Sequence, residues 1–212
     1  MRTLQHVTVC TCLVLAAACT STDNSKIPLP GNSYAVGAPP PTDESFNKQP
    51  ANTILNFLQW YRHNVTQIKQ IELLNKSTDP QSAGAYAVNF PGTEQYLDEL
   101  KKSGFVSDTY VTHWRDYFKQ ADEKLKKTAQ RDGAVKEFDF DFVMWSKDYN
   151  DDLNRIEKST VEFQKITNDQ GVVMIGLPTV GRIKYRITKQ DGKWLIDDIK
   201  DMRSALDQAQ ND

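Results

Sequence analysis

The chain has 212 residues, with 26 Lys and Arg against 28 Asp and Glu, so its formal net charge is −2. This near-neutral balance gives no global electrostatic reason to bind nucleic acid, for which a basic face is expected. A hydrophobic fraction of 39% with 10% aromatic residues argues against disorder of the whole chain.

The first residues have the pattern of an export signal. One basic residue, Arg2, is followed by an apolar run from Val7 to Ala18, and this order of charge and hydrophobicity is typical of a signal peptide. A helix needs about 20 apolar residues to span the hydrocarbon core, so the run is too short for a permanent transmembrane anchor. We therefore predict that residues 1–18 are a signal peptide.

The end of this run, Leu15-Ala16-Ala17-Ala18-Cys19, resembles the lipobox of bacterial lipoproteins, in which a cysteine is acylated and then exposed by cleavage. The resemblance implies lipidation of Cys19 and an anchor in the bacterial cell envelope. Thr20 stands where inner-membrane lipoproteins carry an aspartate, so the resemblance favours the outer membrane and a periplasmic domain. The alternative is an ordinary secretory signal cut after Ala18, which would leave Cys19 as a free thiol.

The composition changes twice after the signal. Residues 19–50 are rich in Ser, Asn, Gly and Pro and contain Pro39-Pro40-Pro41, so we predict a disordered tether after the lipidated cysteine. Residues 51–205 are predicted to form a single globular domain, followed by a disordered tail over residues 206–212. The chain's cysteines, Cys10, Cys12 and Cys19, all precede this domain, which therefore offers neither a disulfide nor a thiolate ligand.

Helical patterns dominate the first part of the domain. Apolar residues recur at three- and four-residue intervals from Ile54 to Ile68 and predict an amphipathic helix. Residues 71–92 look irregular, because Pro91-Gly92 is typical of a break between elements. A short helix is predicted from Gln95 to Lys102, and a longer amphipathic helix follows with Ser107 as its N-cap.

The second part of the domain has the two-residue period of strands. Val161 and Phe163 alternate with polar residues, residues 172–177 are a continuous apolar run, and Ile183, Tyr185 and Ile187 alternate with charged or polar residues. Helices followed by such strands predict an α+β fold, with N-terminal helices packed on a curved antiparallel sheet.

One hairpin can be assigned a register from the sequence. Asp191-Gly192 supplies the positive φ values of a two-residue turn, which would pair Ile187 with Ile196. The same register places Arg186 opposite Asp197, so we expect a charge pair across the sheet.

Three residues of this hairpin are candidates for ligand binding. The register puts Asp198 on the face of Tyr185 and Trp194, which we expect to line the core. A carboxyl on an apolar face is costly to ionise, and such groups serve as general acids and bases in enzymes. The alternative, which we favour, is a hydrated position near the end of the strand.

The domain also resembles the uncharacterised YbjP-like family of bacterial lipoproteins. Three short segments carry the resemblance: Phe57-Leu58-Gln59-Trp60-Tyr61, Phe138-Asp139-Phe140-Asp141 continuing to Asp148-Tyr149, and Gly192-Lys193-Trp194-Leu195-Ile196-Asp197-Asp198-Ile199. The resemblance implies a cone-shaped, nuclear-transport-factor-2-like fold and an envelope location. It implies no activity, because none is established for the family.

The densest acidic stretch offers two candidate metal ligands. If Asp139 and Asp141 lay on a strand, their carboxylates would point to one face about 7 Å apart and could share a cation. The alternative, which we favour, is a solvated acidic face with no metal.

Catalytic signatures are lacking elsewhere. Only His63 and His113 remain after the signal, and neither a G-x-S-x-G motif nor a phosphate-binding glycine loop occurs. We therefore predict no catalytic residue and no cofactor, and a non-enzymatic binding domain whose partners are the membrane, through the lipid, and another envelope protein. The alternatives are a small hydrolase or isomerase with a cone pocket around Asp198 and Tyr185, or a purely structural envelope component.

Overall fold

The computed structural model describes residues 50–179 and 181–202. The predicted signal peptide, Cys19, the tether up to residue 49 and the tail 206–212 lie outside the described residues. Within them, helices precede an antiparallel sheet of four strands, and a second antiparallel sheet of two strands lies between the first two helices in the chain. This arrangement confirms the mixed α+β class.

The helices of the described part are α1 (Pro50–Ile68), α2 (Phe90–Lys102), α3 (Asp108–Thr128) and the short α4 (Asn150–Asn154), with 3-10 turns at Lys136–Phe138 and Ile156–Lys158. The predicted N-cap of α3 is confirmed, because the Ser107 hydroxyl accepts a hydrogen bond of 3.2 Å from the Tyr110 N–H. Within these ranges, no helix combines the length and the apolarity needed to cross a membrane.

Helix α2 begins earlier than the predicted Gln95. Pro91 lies in its first turn, where a missing N–H breaks no helical hydrogen bond. The Asn89 side chain caps the helix by accepting from the Gly92 N–H. A proline that we interpreted as a break therefore starts the helix, and the prediction that residues 71–92 are irregular is wrong.

The strands are β1 (Leu74–Lys76), β2 (Tyr86–Val88), β3 (Thr160–Ile166), β4 (Gln170–Gly176), β5 (Arg182–Gln190) and β6 (Lys193–Asp201). Strands β1 and β2 pair with each other, and the larger sheet has the order β3-β4-β5-β6. The hairpin turn between β5 and β6 is as predicted, with positive φ at Asp191 and Gly192. Ile187 lies opposite Ile196, which confirms the register next to this turn.

A β-bulge changes the register further along the β5–β6 hairpin. Arg186 lies opposite Asp198 and not opposite Asp197, so the predicted pairing of Arg186 with Asp197 is wrong. The extra residue in β6 also places Ile199 opposite Tyr185. Side chains beyond the bulge consequently exchange faces relative to a regular alternation.

One apolar core joins the helices to the inner face of the sheet. Its fully buried side chains include Ile54, Phe57, Leu58, Tyr110, Trp114, Phe118, Val173, Ile175, Tyr185 and Ile196. Each such side chain contributes roughly 1.5–3 kcal/mol relative to an exposed position. This core positions α1 against the segment that follows α3, where the candidate site lies.

Candidate binding pocket

Residues 138–146 form a compact turn, not the strand that a shared metal site of Asp139 and Asp141 would require. The Asp141 N–H donates to the Ser146 carbonyl at 3.0 Å, and the Trp145 N–H donates to the Asp141 carbonyl at 2.7 Å. Trp145 has a φ of 53°, a left-handed conformation that is strained for a bulky residue. The condition for a shared cation, that Asp139 and Asp141 lie on one strand face, is therefore not met, because the chain closes on itself here through these bonds.

The Asp141 carboxylate links this turn to helix α1. Its side chain is buried, with 7% exposure. One oxygen accepts from the N–H groups of Val143 (3.0 Å) and Met144 (2.8 Å), and the other accepts from the Tyr61 hydroxyl at 2.6 Å. Three donors from two elements therefore converge on one carboxylate.

Burial controls the ionisation of this pair. Burial raises the pKa of Asp141, and the hydrogen bonds from Tyr61, Met144 and Val143 and the charge of Lys69 offset that rise only in part. A carboxyl with a raised pKa stabilises the fold most below its unfolded pKa, and this contribution is lost as the pH rises through the folded pKa. Burial also raises the pKa of Tyr61, which keeps it a hydrogen-bond donor at neutral pH.

Asp141 and Tyr61 line a pocket of about 390 Å³ between the end of α1 and the turn. This volume lies in the range of small-molecule sites. The remaining lining consists of aliphatic and aromatic side chains with a few polar ones: Ile68, Lys69, Ile71, Leu73, Tyr96, Phe138, Asp139, Phe140, Phe142, Ser146, Lys147 and Tyr149.

Tyr96 adds an unsatisfied polar group to this lining. Its ring is buried, and its hydroxyl has no hydrogen-bond partner among the described residues. Burial also raises the pKa of Tyr96 well above its usual range. A buried hydroxyl without a partner carries a desolvation cost of about 1–3 kcal/mol, so a ligand atom that reached it would recover part of that cost.

The charged residues of the pocket are held in local contacts. Lys147 forms an ion pair with Asp139, so this carboxylate is already balanced. The Lys69 ammonium lies 4.2 Å from the centroid of the Tyr149 ring. The lining has two acidic residues, and Asp139 is the one in an ion pair. No basic group of the described residues lies within ion-pair distance of Asp141.

The acidic stretch does not assemble a metal site. Among residues 50–179 and 181–202, no three His, Cys, Asp or Glu side chains gather into a group that could hold a metal ion. Asp152 accepts from the Thr179 N–H at 2.8 Å and from its hydroxyl at 2.7 Å. The expectation of a solvated acidic face is wrong for Asp141, since its side chain is buried, and Asp152 is buried too.

Asp198 is buried, which contradicts the expected hydrated position near the end of the strand, and basic side chains lie beside its carboxylate. Its carboxylate lies 3.3 Å from Arg186 Nε, 3.6 Å from Lys200 Nζ and 4.0 Å from His113 Nε2, and its side chain is 3% exposed. The bulge places Asp198 opposite Arg186, so the prediction that it shares the face of Tyr185 and Trp194 is wrong.

Tyr185 and Trp194 belong to the core. Both side chains are buried. Ile199, and not Asp198, stands opposite Tyr185. The Tyr185 hydroxyl has no hydrogen-bond partner in the described part of the chain. The three candidate ligand-binding residues therefore do not form a common site.

Sequence reasoning missed the partner of Asp141. Tyr61 belongs to the apolar stripe of α1, and its hydroxyl was available there as a donor for a buried group. An aspartate between phenylalanines, as in Phe140-Asp141-Phe142, was the other signal, since a carboxylate in apolar surroundings requires donors. Neither signal indicates that the two residues, 80 positions apart, meet.

No family model matches the chain, and no curated protein or solved structure matches it.

The ion pairs of Asp198 give a testable prediction. We expect Asp198→Asn to lower the free energy of unfolding by about 1–3 kcal/mol at neutral pH, because it removes the charge that faces three basic groups. Urea unfolding measures this, with Asp148→Asn at an exposed position as a control that stays within about 0.5 kcal/mol. Unchanged or increased stability of Asp198→Asn would contradict a stabilising role for these pairs.

Proposed function

We propose that the chain is an outer-membrane lipoprotein held by a lipid on Cys19, and that its α+β domain is a non-enzymatic module that binds a small amphipathic ligand in the Asp141 pocket. The observation that carries the proposal is the buried Asp141–Tyr61 pair within a pocket walled by aromatic rings. Ligand sites typically combine such apolar walls with a few convergent polar groups.

The lining supports recognition of a ligand with one apolar and one polar end. Phe138 and Phe140 are only half-buried, so a ligand could cover ring surface that is now exposed to water. Asp141 and the Tyr96 hydroxyl, which has no hydrogen-bond partner among the described residues, are polar groups buried beside the pocket. In such an environment, each hydrogen bond is stronger than in water.

Binding is favoured over catalysis by the state of the acidic groups. The hydrolase or isomerase alternative requires an available carboxylate at Asp198, and basic side chains surround that carboxylate. Asp141 already accepts three hydrogen bonds, which suits a fixed recognition group. Two alternatives to a small-molecule site are that the anchored domain binds another envelope protein, or that it has a purely structural role.

We further propose that the domain has the cone-shaped, nuclear-transport-factor-2-like variety of the α+β fold. The supporting features are helices that precede an antiparallel sheet and bulges in two of its strand pairs. Bulges bend and twist strands, as a curved sheet requires.

The anchor can be tested by membrane fractionation. We expect Cys19→Ala to move the protein from the membrane fraction to the soluble fraction, because the acyl chains on this cysteine supply the membrane affinity. Cys12→Ala is the matched control, since its upstream residues resemble a lipobox less closely, and this variant should stay membrane-bound. A membrane-bound Cys19→Ala protein would contradict the proposed anchor.

The pocket can be tested with three probes that share a phenethyl-sized body: phenethylamine, phenethyl alcohol and hydrocinnamate. We expect at least one of them to shift the backbone amide resonances of Phe140, Lys147 and Tyr149 in NMR titrations. Leu73→Trp should abolish these shifts, because it places a larger ring in the pocket wall.

Val161→Trp is the matched control, since Val161 is exposed and lies outside the pocket lining. It should leave the shifts intact. Absence of binding by all three probes, or shifts that survive Leu73→Trp, would contradict the proposed site.

A further inference from the structure

We propose that the ligand of the Asp141 pocket is an organic cation, a protonated amine carried on a small apolar or aromatic body. The inference rests on the proposed function, because it names the chemical class of ligand for the same pocket. Its basis is a buried carboxylate that has hydrogen-bond donors but no ion-pair partner among the described residues, next to aromatic ring faces.

Other buried aspartates show what Asp141 lacks. Asp122 lies 2.7 Å from Lys126 Nζ, and Asp198 lies near Arg186 and Lys200. Asp152 has no ion pair within the described part of the chain, accepts hydrogen bonds from Thr179, and is not part of the pocket lining. Asp141 alone among these four combines a missing counter-ion with a place in the pocket. Buried charges are generally paired, so the pocket is suited to a cation supplied from outside.

The aromatic rings of the pocket are suited to the same kind of ligand. An ammonium group over an aromatic face gains about 0.5–2 kcal/mol, with the larger values in dehydrated sites. The chain itself shows this contact at the pocket, where Lys69 Nζ lies 4.2 Å from the Tyr149 ring centroid. Phe138 and Phe140 present further ring surface to the same space.

The basic residues of the lining are the main argument for an anion instead. Lys147 is paired with Asp139, so its charge is largely neutralised locally. Lys69 is exposed, and salt and water screen an exposed charge far more than a buried one. The Asp141 carboxylate is buried and weakly screened. Its field therefore dominates the interior of the pocket, where a ligand's polar end would lie.

The size of the site limits the ligand. A pocket of about 390 Å³ is at the lower end of the range for small-molecule sites. It can hold an amine on a body the size of one aromatic ring with a short linker. Phenethylamine is therefore a suitable probe, and phenethyl alcohol and hydrocinnamate are its neutral and anionic counterparts.

The test is isothermal titration of the three probes into the full chain at neutral pH. We expect phenethylamine to bind at least tenfold more tightly than phenethyl alcohol, and hydrocinnamate to bind more weakly than both. A charge-assisted hydrogen bond contributes about 1.5–3 kcal/mol, and 1.4 kcal/mol corresponds to a factor of ten.

The decisive variant is Asp141→Asn. Its amide oxygen can still accept from Val143 and Met144, and its amide nitrogen can donate to the Tyr61 oxygen, so the turn keeps its shape. We expect phenethylamine to lose at least tenfold in affinity while phenethyl alcohol changes less than about twofold. Retained binding of the alcohol also shows that the pocket is folded. Asp116→Asn is the matched control and should leave amine affinity within about twofold, because that carboxylate is exposed, ion-paired with Lys119 and outside the pocket lining.

The outcomes separate this inference from the proposed function. If the alcohol or hydrocinnamate binds as tightly as the amine, or if Asp141→Asn leaves amine affinity unchanged, the cation inference is wrong while the pocket remains a binding site. If none of the three probes binds, both proposals are wrong.

Discussion

The arrangement of the candidate site depends on one buried carboxylate. Asp141 gathers the hydroxyl of Tyr61 from α1 and the N–H groups of Val143 and Met144 from its own turn. Without these donors, a buried carboxylate would be strongly unfavourable. The bonds to its own turn close the chain locally, and the bond to Tyr61 holds that turn against α1. The aromatic wall of the pocket follows from this attachment, because Phe140 and Phe142 flank the same aspartate.

The sequence predicted those helices and turns that are determined by residues close to one another in the chain. The opening helix follows from a three- and four-residue apolar period, the start of α3 from the cap at Ser107, and the β5–β6 turn from Asp191-Gly192. Pro91 shows the limit of such signals. The same residue can end one helix or begin another, and only the neighbouring Asn89 cap decides between them.

The site itself could not be predicted, because it depends on non-local geometry. A strand of regular alternation would place Asp198 with Trp194, and one extra residue in β6 moves it to the face of Arg186 instead. The alternation from Phe138 to Phe142 likewise suggests a strand, but the hydrogen bonds of Asp141 fold this segment into a turn. In the first place a one-residue bulge, and in the second the hydrogen bonds of one side chain, override the structure that the two-residue period of the sequence would predict.

A double-mutant cycle between α1 and the turn tests the central claim most directly. The free energies of unfolding of the wild type, Tyr61→Phe, Asp141→Ala and the double variant give the coupling between the two side chains. We predict a coupling of at least about 1 kcal/mol, because a hydrogen bond to a buried carboxylate contributes about 1.5–3 kcal/mol. Effects that add within about 0.5 kcal/mol would show that the carboxylate does not hold the turn to the helix, and would contradict the account.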